Sequence, residues 1–237
     1  QAQAYRELLP AGGPVKTAII GQETPEVVAQ AERVKNYMNY QITYEMEEYD
    51  PELDQMLFYL PIVGSSFKKV YFDPSLQRAV SKFVHAEDLI VPYNATDLKT
   101  STRICHVIRM DSNEIRKLQL SGFYKDIELP TSDSDGANYD EVRETIKDIE
   151  GIHSESSYNE ELTLYEIHTD LDLPGFEDQN QMGENTGLKM PYIVTILEKS
   201  GEVLSIKRNF NEGDPLRSKI PYFVHYKFLP GLGFYGF

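Results

Sequence analysis

The side chains best suited to covalent or metal chemistry in this chain are a single cysteine and five histidines. Cys105 stands next to His106, a pair that could supply a thiol nucleophile and its base. Residues 103–110 alternate as a strand does, however, and neighbours on a strand point to opposite faces. We therefore predict a buried structural cysteine and no catalytic dyad. The histidines are His85, His106, His153, His168 and His225.

Metal and nucleotide motifs are also missing from the sequence. The histidines lack the close spacing of a zinc site, and neither G-x-x-x-x-G-K-S/T nor G-x-G-x-x-G occurs. Asp133 to Gly136 resembles part of a calcium loop, but that register places Val142 at the twelfth position, where a bidentate Glu is needed. An ordinary turn is favoured. We predict no catalytic, cofactor or metal residues, no cofactor and no enzymatic activity, and we assign no partner-binding residues.

Charge is concentrated in one segment. Residues 132–182 hold fifteen Asp and Glu against two bases, a balance of −13, while the whole chain carries −15. We predict an acidic lobe over residues 132–183. It is either a solvated surface excursion or an acidic surface that docks a basic partner or repels DNA. The negative field repels phosphates, which makes the chain a poor candidate for tight nucleic-acid binding.

Length and composition set the remaining limits. The 237 residues, 41% hydrophobic and 26% charged, suffice for a single domain with a sizeable core. No run approaches the roughly 18 apolar residues of a membrane span, and no signal peptide is visible. A single cysteine excludes an internal disulfide and fits a reducing compartment. Because the chain starts Gln-Ala-Gln, we expect a piece of a longer protein.

The first part of the chain predicts a helix pair. Residues 1–21 read as a loop or packed tail with a short strand at 15–20. Thr24 and Pro25 are a cap and first turn for an amphipathic helix that extends to about Glu47. Asp50 and Pro51 repeat that signal for a second helix ending at Pro61. The stripe of Tyr37, Met38, Tyr40 and Tyr44 indicates core or subunit packing rather than a cofactor pocket.

Strands and turns dominate the remainder. A hairpin is predicted at 67–84 around Asp73-Pro74, then a strand at 103–110 and a helix at 112–120 capped by Asp111 and closed by Gly122. A helix is expected at 140–150, a strand at 162–172, a hairpin at 192–210 with a central first strand, and a last strand at 220–228. The predicted class is α+β, with the helix pair packed on mostly antiparallel sheets.

The order of these segments resembles one family, the portal proteins of P22-like tailed bacteriophages. The likeness is strongest between Phe67 and Tyr124 and weaker from Leu53 to Tyr71 and from Val224 to Phe237. The residues that carry it are FDPSL at 72–76, AEDLIVPYNATDL at 86–98, RICHVIRM at 103–110 and NEIRKLQLSGFY at 113–124.

The resemblance implies a single wing-like domain over residues 1–237, with Tyr235 just before the family's long stem helix. It implies a structural subunit of a homo-oligomeric ring, a dodecamer, at the capsid vertex of the virion, assembled in the host cytoplasm. The implied partners are terminase, coat or scaffolding protein and tail adaptor proteins. Double-stranded DNA would pass through the channel during packaging and ejection without sequence-specific binding, and no membrane would be involved.

The acidic segment keeps a second hypothesis open. Clustered carboxylates suit hard divalent cations, so the alternative is a cation-dependent binding module or a soluble hydrolase. A direct DNA binder is a third and weaker alternative, because it would require a steep salt dependence that the negative charge disfavours.

Overall fold

The structure, a computed structural model, describes residues 2–74, 76–130, 161–179, 182–229, 231 and 233–235. Over these residues the chain is α+β, with four α-helices and two antiparallel sheets. The helices are α1 (Ala2–Leu8), α2 (Pro25–Tyr40), α3 (Tyr49–Val63) and α4 (Ser112–Leu120). The strands are β1 (Ser65–Asp73), β2 (Arg78–Val84), β3 (Leu89–Ile90), β4 (Arg103–Asp111), β5 (Glu161–Leu171), β6 (Met190–Leu197), β7 (Val203–Arg208) and β8 (Phe223–Lys227).

The chain divides into two compact units. Unit 1 contains residues 1–104 and 219–237, and unit 2 contains residues 105–218. The single wing-like domain over 1–237 stays a prediction. Most of the predicted acidic lobe, including the turn at 131–136 and the helix at 140–150, lies outside the described residues.

The prediction for residues 1–21 is partly wrong, although residues 9–21 form loop and turns as predicted. Instead of a loop, residues 2–8 form α1, and residues 15–20 form no strand. The loop was predicted from the glycines at 12 and 13, but the residues that precede them are good helix formers. Tyr5 and Leu9 pack beside the buried Leu53, Met56 and Leu57 of α3, so tertiary contact stabilises this short helix.

Helix α2 begins where the sequence predicts. Thr24 Oγ1 accepts a hydrogen bond from the Val27 N–H at 3.3 Å, and Pro25 occupies the first helical position. A π-helical turn, Gln41–Glu45, follows. No residue of α2 is buried, however, so the prediction that both helices pack on a sheet is wrong for α2.

Helix α3 also differs from its predicted bounds. It begins at Tyr49 and runs through Pro61 to Val63. Pro61 lacks the N–H that would bond the carbonyl four residues earlier, but it lies in the last turn, where the loss of one bond does not end the helix. Gly64, with φ of +83°, ends it by donating its N–H to Leu60 O at 2.9 Å.

Unit 1 contains a three-stranded sheet in the order β2-β1-β8. The predicted hairpin is confirmed, with Phe67 opposite Val84 and Asp73 opposite Arg78. Strand β8 pairs with the other side of β1, and it starts at Phe223 rather than at 220. One face of the sheet carries a core of Phe67, Val84, Leu89, Leu98, Ile104, Phe223 and Phe234. Helix α3 packs on the opposite face, where Phe83 contacts its buried side chains.

The second sheet has the strand order β3-β4-β5-β6-β7. In unit 2, β6 lies between β5 and β7, which confirms the predicted central strand. The cap of α4 is confirmed as well, because Asp111 Oδ1 accepts the Asn113 N–H at 2.7 Å and Gly122 follows the helix with φ of +75°. The core around α4 consists of Ile115, Tyr124, Leu162, Leu164, Leu197 and Leu204.

Across the part of the chain that is described, no helix combines the length and apolar character needed to cross a membrane.

We predict that Val194→Asp unfolds unit 2. Val194 is 8% exposed on the central strand, so the substitution buries an unpaired carboxylate, at a cost of about 3 kcal/mol or more. Urea unfolding followed by circular dichroism measures the loss. The matched control is Val203→Asp on β7, where Val203 is 39% exposed and a change below about 1 kcal/mol is expected. Equal effects at both positions would contradict the central placement of β6.

Candidate functional site

Lys68 is the most unusual ionisable side chain among the described residues. It points from β1 toward α3, is only 2% exposed, and places Nζ 4.1 Å from the centroid of the Tyr49 ring. No hydrogen-bond partner for Nζ occurs in the described residues. Burial lowers the pKa of Lys68 from 10.5 to about 8, although the charges of Glu52 and Glu48 oppose that shift.

The two carboxylates beside Lys68 cover an edge of the sheet. Glu48 accepts hydrogen bonds from Arg78 Nη1 at 2.9 and 2.7 Å and from the Ser81 N–H at 3.3 Å. Glu52 accepts the Phe83 N–H. Burial acts to raise the pKa of Glu48, but its own backbone N–H and Arg78 outweigh burial and lower it. Both carboxylates therefore satisfy outward backbone groups of the edge strand β2.

A lysine amine with a lowered pKa can act as a nucleophile or a base. Lys68 Nζ is nevertheless sealed beneath α3, with almost no surface open to a substrate. The Lys68, Tyr49, Glu48, Glu52 and Arg78 cluster is therefore a structural charge network that joins α3 to the sheet. No local pattern predicts this cluster, because its members come from α3, the residue before it and two strands.

A serine and a histidine meet on the other face of the same sheet. Ser65 Oγ lies 2.5 Å from His225 Nε2, although the residues are 160 positions apart. The His225 ring contacts Phe67, at 4.4 Å between centroids, and Phe234, at 4.7 Å, and these two rings also stack on each other at 6.1 Å. Burial, together with the charge of Lys227, lowers the pKa of His225 from 6.5 to about 4.

This pair has the composition of a nucleophile and its base but not the setting. A base with a pKa near 4 takes up a proton poorly at neutral pH. Ser65 is only 2% exposed, and no carboxylate that would orient the ring is hydrogen-bonded to it within the described ranges. Ser65 is therefore a buried residue of the sheet, and His225 packs half-buried against the aromatic core.

The remaining histidines and the cysteine do not assemble a site in the described residues. His168 Nε2 lies 2.8 Å from Glu166 Oε1, on the face of β5 that the alternation predicted for both. Cys105 and His106 are neighbours on β4, which confirms that they point to opposite faces. Cys105 is half-buried rather than buried, which corrects the prediction. His153 lies outside the described residues.

An open groove runs along α4 in unit 2. Its polar side chains already bond to one another: Arg116 Nη1 donates to Gln119 Oε1 at 3.0 Å and also pairs with Asp126, and Gln119 Nε2 donates to Ile127 O at 3.0 Å. The groove therefore presents few groups for a ligand. Nor do three or more His, Cys, Asp or Glu side chains converge as metal ligands anywhere in the described ranges.

Apolar side chains are exposed on the helices of unit 1. The predicted stripe of tyrosines and a methionine is exposed: Tyr37, Met38, Tyr40 and Tyr44 are not in the core. The core alternative is therefore wrong, and subunit packing stays a prediction. Tyr40 and Tyr44 stack on each other at 5.7 Å between centroids. Phe58 and Ile62 are likewise exposed on α3.

No protein-family model matches the chain, and a search of curated proteins found no match either.

We predict that Lys68→Met stabilises the fold at pH 7 by about 1–3 kcal/mol, because it replaces a buried ammonium with an apolar side chain of similar length. The folded state binds this proton less tightly than the unfolded state does. Stability of the natural chain should therefore rise with pH between about 8 and 10.5, and the variant should lose that contribution.

Urea unfolding at pH 7, 8, 9 and 10 measures this difference. Lys69→Met is the matched control, since Lys69 points to the opposite face and is only half-buried. Destabilisation by Lys68→Met at pH 7 would show instead that attraction to Glu48 and Glu52 outweighs desolvation.

We predict that His225→Phe flattens the acid side of the stability profile. The unfolded state takes up a proton at His225 near pH 6.5, whereas the folded state resists until about pH 4. This group therefore removes stability as pH falls through that window, by roughly 2–3 kcal/mol in total. Unfolding midpoints at pH 7, 5.5 and 4.5 test it. A parallel loss in variant and natural chain would contradict the assigned role.

Proposed function

We propose that this chain is a structural, non-enzymatic subunit of a viral portal ring at the capsid vertex. The observation that carries the proposal is the order of segments from Phe67 to Tyr124, which resembles that of P22-like portal proteins. The wing-like assignment of the fold and the acidic lobe at residues 132–183 belong to the same proposal. Under it, the chain occupies the virion after assembly in the host cytoplasm.

Two features of unit 1 are consistent with a structural role. Of the groups best suited to chemistry, Lys68 and Ser65 are buried, and His225 is half-buried with a lowered pKa. Helix α2, by contrast, buries none of its residues and exposes valine, methionine and tyrosine side chains. A surface of this kind is typical of a protein that completes its packing by association.

The charge of the chain suits a conduit for DNA. A net charge of −15 repels phosphates, so a duplex would slide past without being retained. In this proposal twelve copies surround the channel, terminase drives DNA inward, and coat or scaffolding protein and tail adaptor proteins contact the ring. No sequence-specific base contact is required.

Negative-stain electron microscopy of the chain in its natural full-length form tests the proposal. We expect rings of about a dozen copies around a central channel. Imaging at low and high salt, and over a range of protein concentrations, guards against losing a ring that forms only under some conditions. Monomers throughout that range would overturn the proposal.

A further inference from the structure

Two largely exposed stripes lie on different helices of unit 1, and Ala31 is the half-buried member of the first. The α2 stripe consists of Val27, Ala31, Val34 and Met38, and the α3 stripe consists of Gln55, Phe58 and Ile62. Val27, Val34 and Met38 are 37%, 44% and 42% exposed, and Phe58 and Ile62 are 53% and 69% exposed. Both stripes stand apart from the face of α3 that covers the sheet, which carries Leu53, Met56 and Leu57.

The spacing of both stripes is compatible with a helix as the occupant. The α2 stripe recurs at intervals of four, three and four residues, and the α3 stripe at three and four. The intervals average about 3.7 residues on α2 and 3.5 on α3, so each stripe keeps its side chains along one seam, where they can insert between those of a facing helix.

The two stripes also complement each other in side-chain size. The α2 stripe is built from small and medium side chains around Ala31, whereas the α3 stripe presents the large Phe58 and Ile62. Packed helices interdigitate best when large groups on one face small groups on the other. Two copies of the α2 stripe would leave a gap at Ala31, and two copies of the α3 stripe would bring Phe58 side chains together.

Charge favours the same pairing. Lys35 borders the α2 stripe, and its contact with Glu32 is a long, exposed one at 3.7 Å. Asp54 borders the α3 stripe and is exposed. Facing helices would bring these opposite charges together at the flanks of the seam. Elsewhere, copies that each carry −15 repel one another, so this pairing offers a favourable approach.

We propose that the α2 stripe of one copy packs against the α3 stripe of the next copy. Because the two surfaces differ, each copy can use both, and the contact is head-to-tail, which generates a ring or a filament. A seam of two to three helical turns falls below the ~1,200 Å² of a standard interface, so a single contact is weak and closure of a ring reinforces it. As a ring contact, this inference rests on the proposed function.

Site-directed cross-linking of the 237-residue chain tests the contact. Ala31→Cys and Gln55→Cys are introduced into separate chains. These positions leave the large side chains of both stripes in place. Each chain also carries Cys105→Ser, which removes the natural thiol. The two chains are mixed at about 0.1 mM, where micromolar contacts are populated, and treated with a bis-maleimide spacer of about 10 Å, which matches the separation of packed helices. We expect mixed cross-linked dimers in several-fold excess over dimers of either variant with itself.

A chain that carries both cysteines should give a ladder of oligomers. Val34→Glu should reduce the ladder several-fold, whereas Leu120→Glu, an exposed position on α4, should leave it unchanged. Three results would overturn the inference: no cross-link, links between identical positions only, or a link within one chain without a ladder. Intact rings in the Val34→Glu variant would reject the contact but keep the proposed portal function. A ladder of oligomers without rings in the full-length protein would support the contact but reject the portal function.

Discussion

The fold of unit 1 depends on how the outer edge of β2 is covered. An edge strand leaves alternate N–H and C=O groups without partners, and in many proteins that edge invites another strand. Here Glu48 and Glu52, from the start of α3 and the residue before it, accept the outward N–H groups of Ser81 and Phe83. Arg78, which lies on the same strand, donates hydrogen bonds to Glu48 and balances its negative charge. Side-chain carboxylates thus replace a fourth strand.

This arrangement determines which helix can pack on the sheet. With its first turn held at the β2 edge, α3 lies across the sheet and buries Leu53, Met56 and Leu57 against Phe83. The ammonium of Lys68 sits beneath it, held by the Tyr49 ring and the two carboxylates. The charge network therefore orients α3, and hydrophobic burial supplies most of the stabilisation. The α2 stripe gains no cover from that packing, and no residue of α2 is buried.

Local signals predicted most elements with nearly correct bounds. Thr24 and Asp111 cap helices, and the hairpin around Asp73 follows its turn residues, because these features need only neighbouring residues. Burial was harder to predict. An amphipathic stripe shows that one side of a helix prefers contact, but it has the same appearance whether the contact is a core or another subunit. Val34 and Leu57 belong to similar helical patterns, yet Val34 is exposed and Leu57 is buried.

Contacts between residues far apart in the chain were not predicted from the sequence, for a related reason. Ser65 and His225 meet only because β8 pairs with β1, and strand order depends on the sum of many contacts rather than on a local motif. Lys68 shows the limit in another way: a lysine in a strand predicts an exposed side chain, and only the placement of α3 reverses that expectation. Once the fold is known, Lys68 and the Ser65–His225 pair are the first side chains to consider as reactive groups. Lys68 and Ser65 are buried and His225 is half-buried, whereas α2 and α3 expose apolar side chains such as Val34 and Phe58.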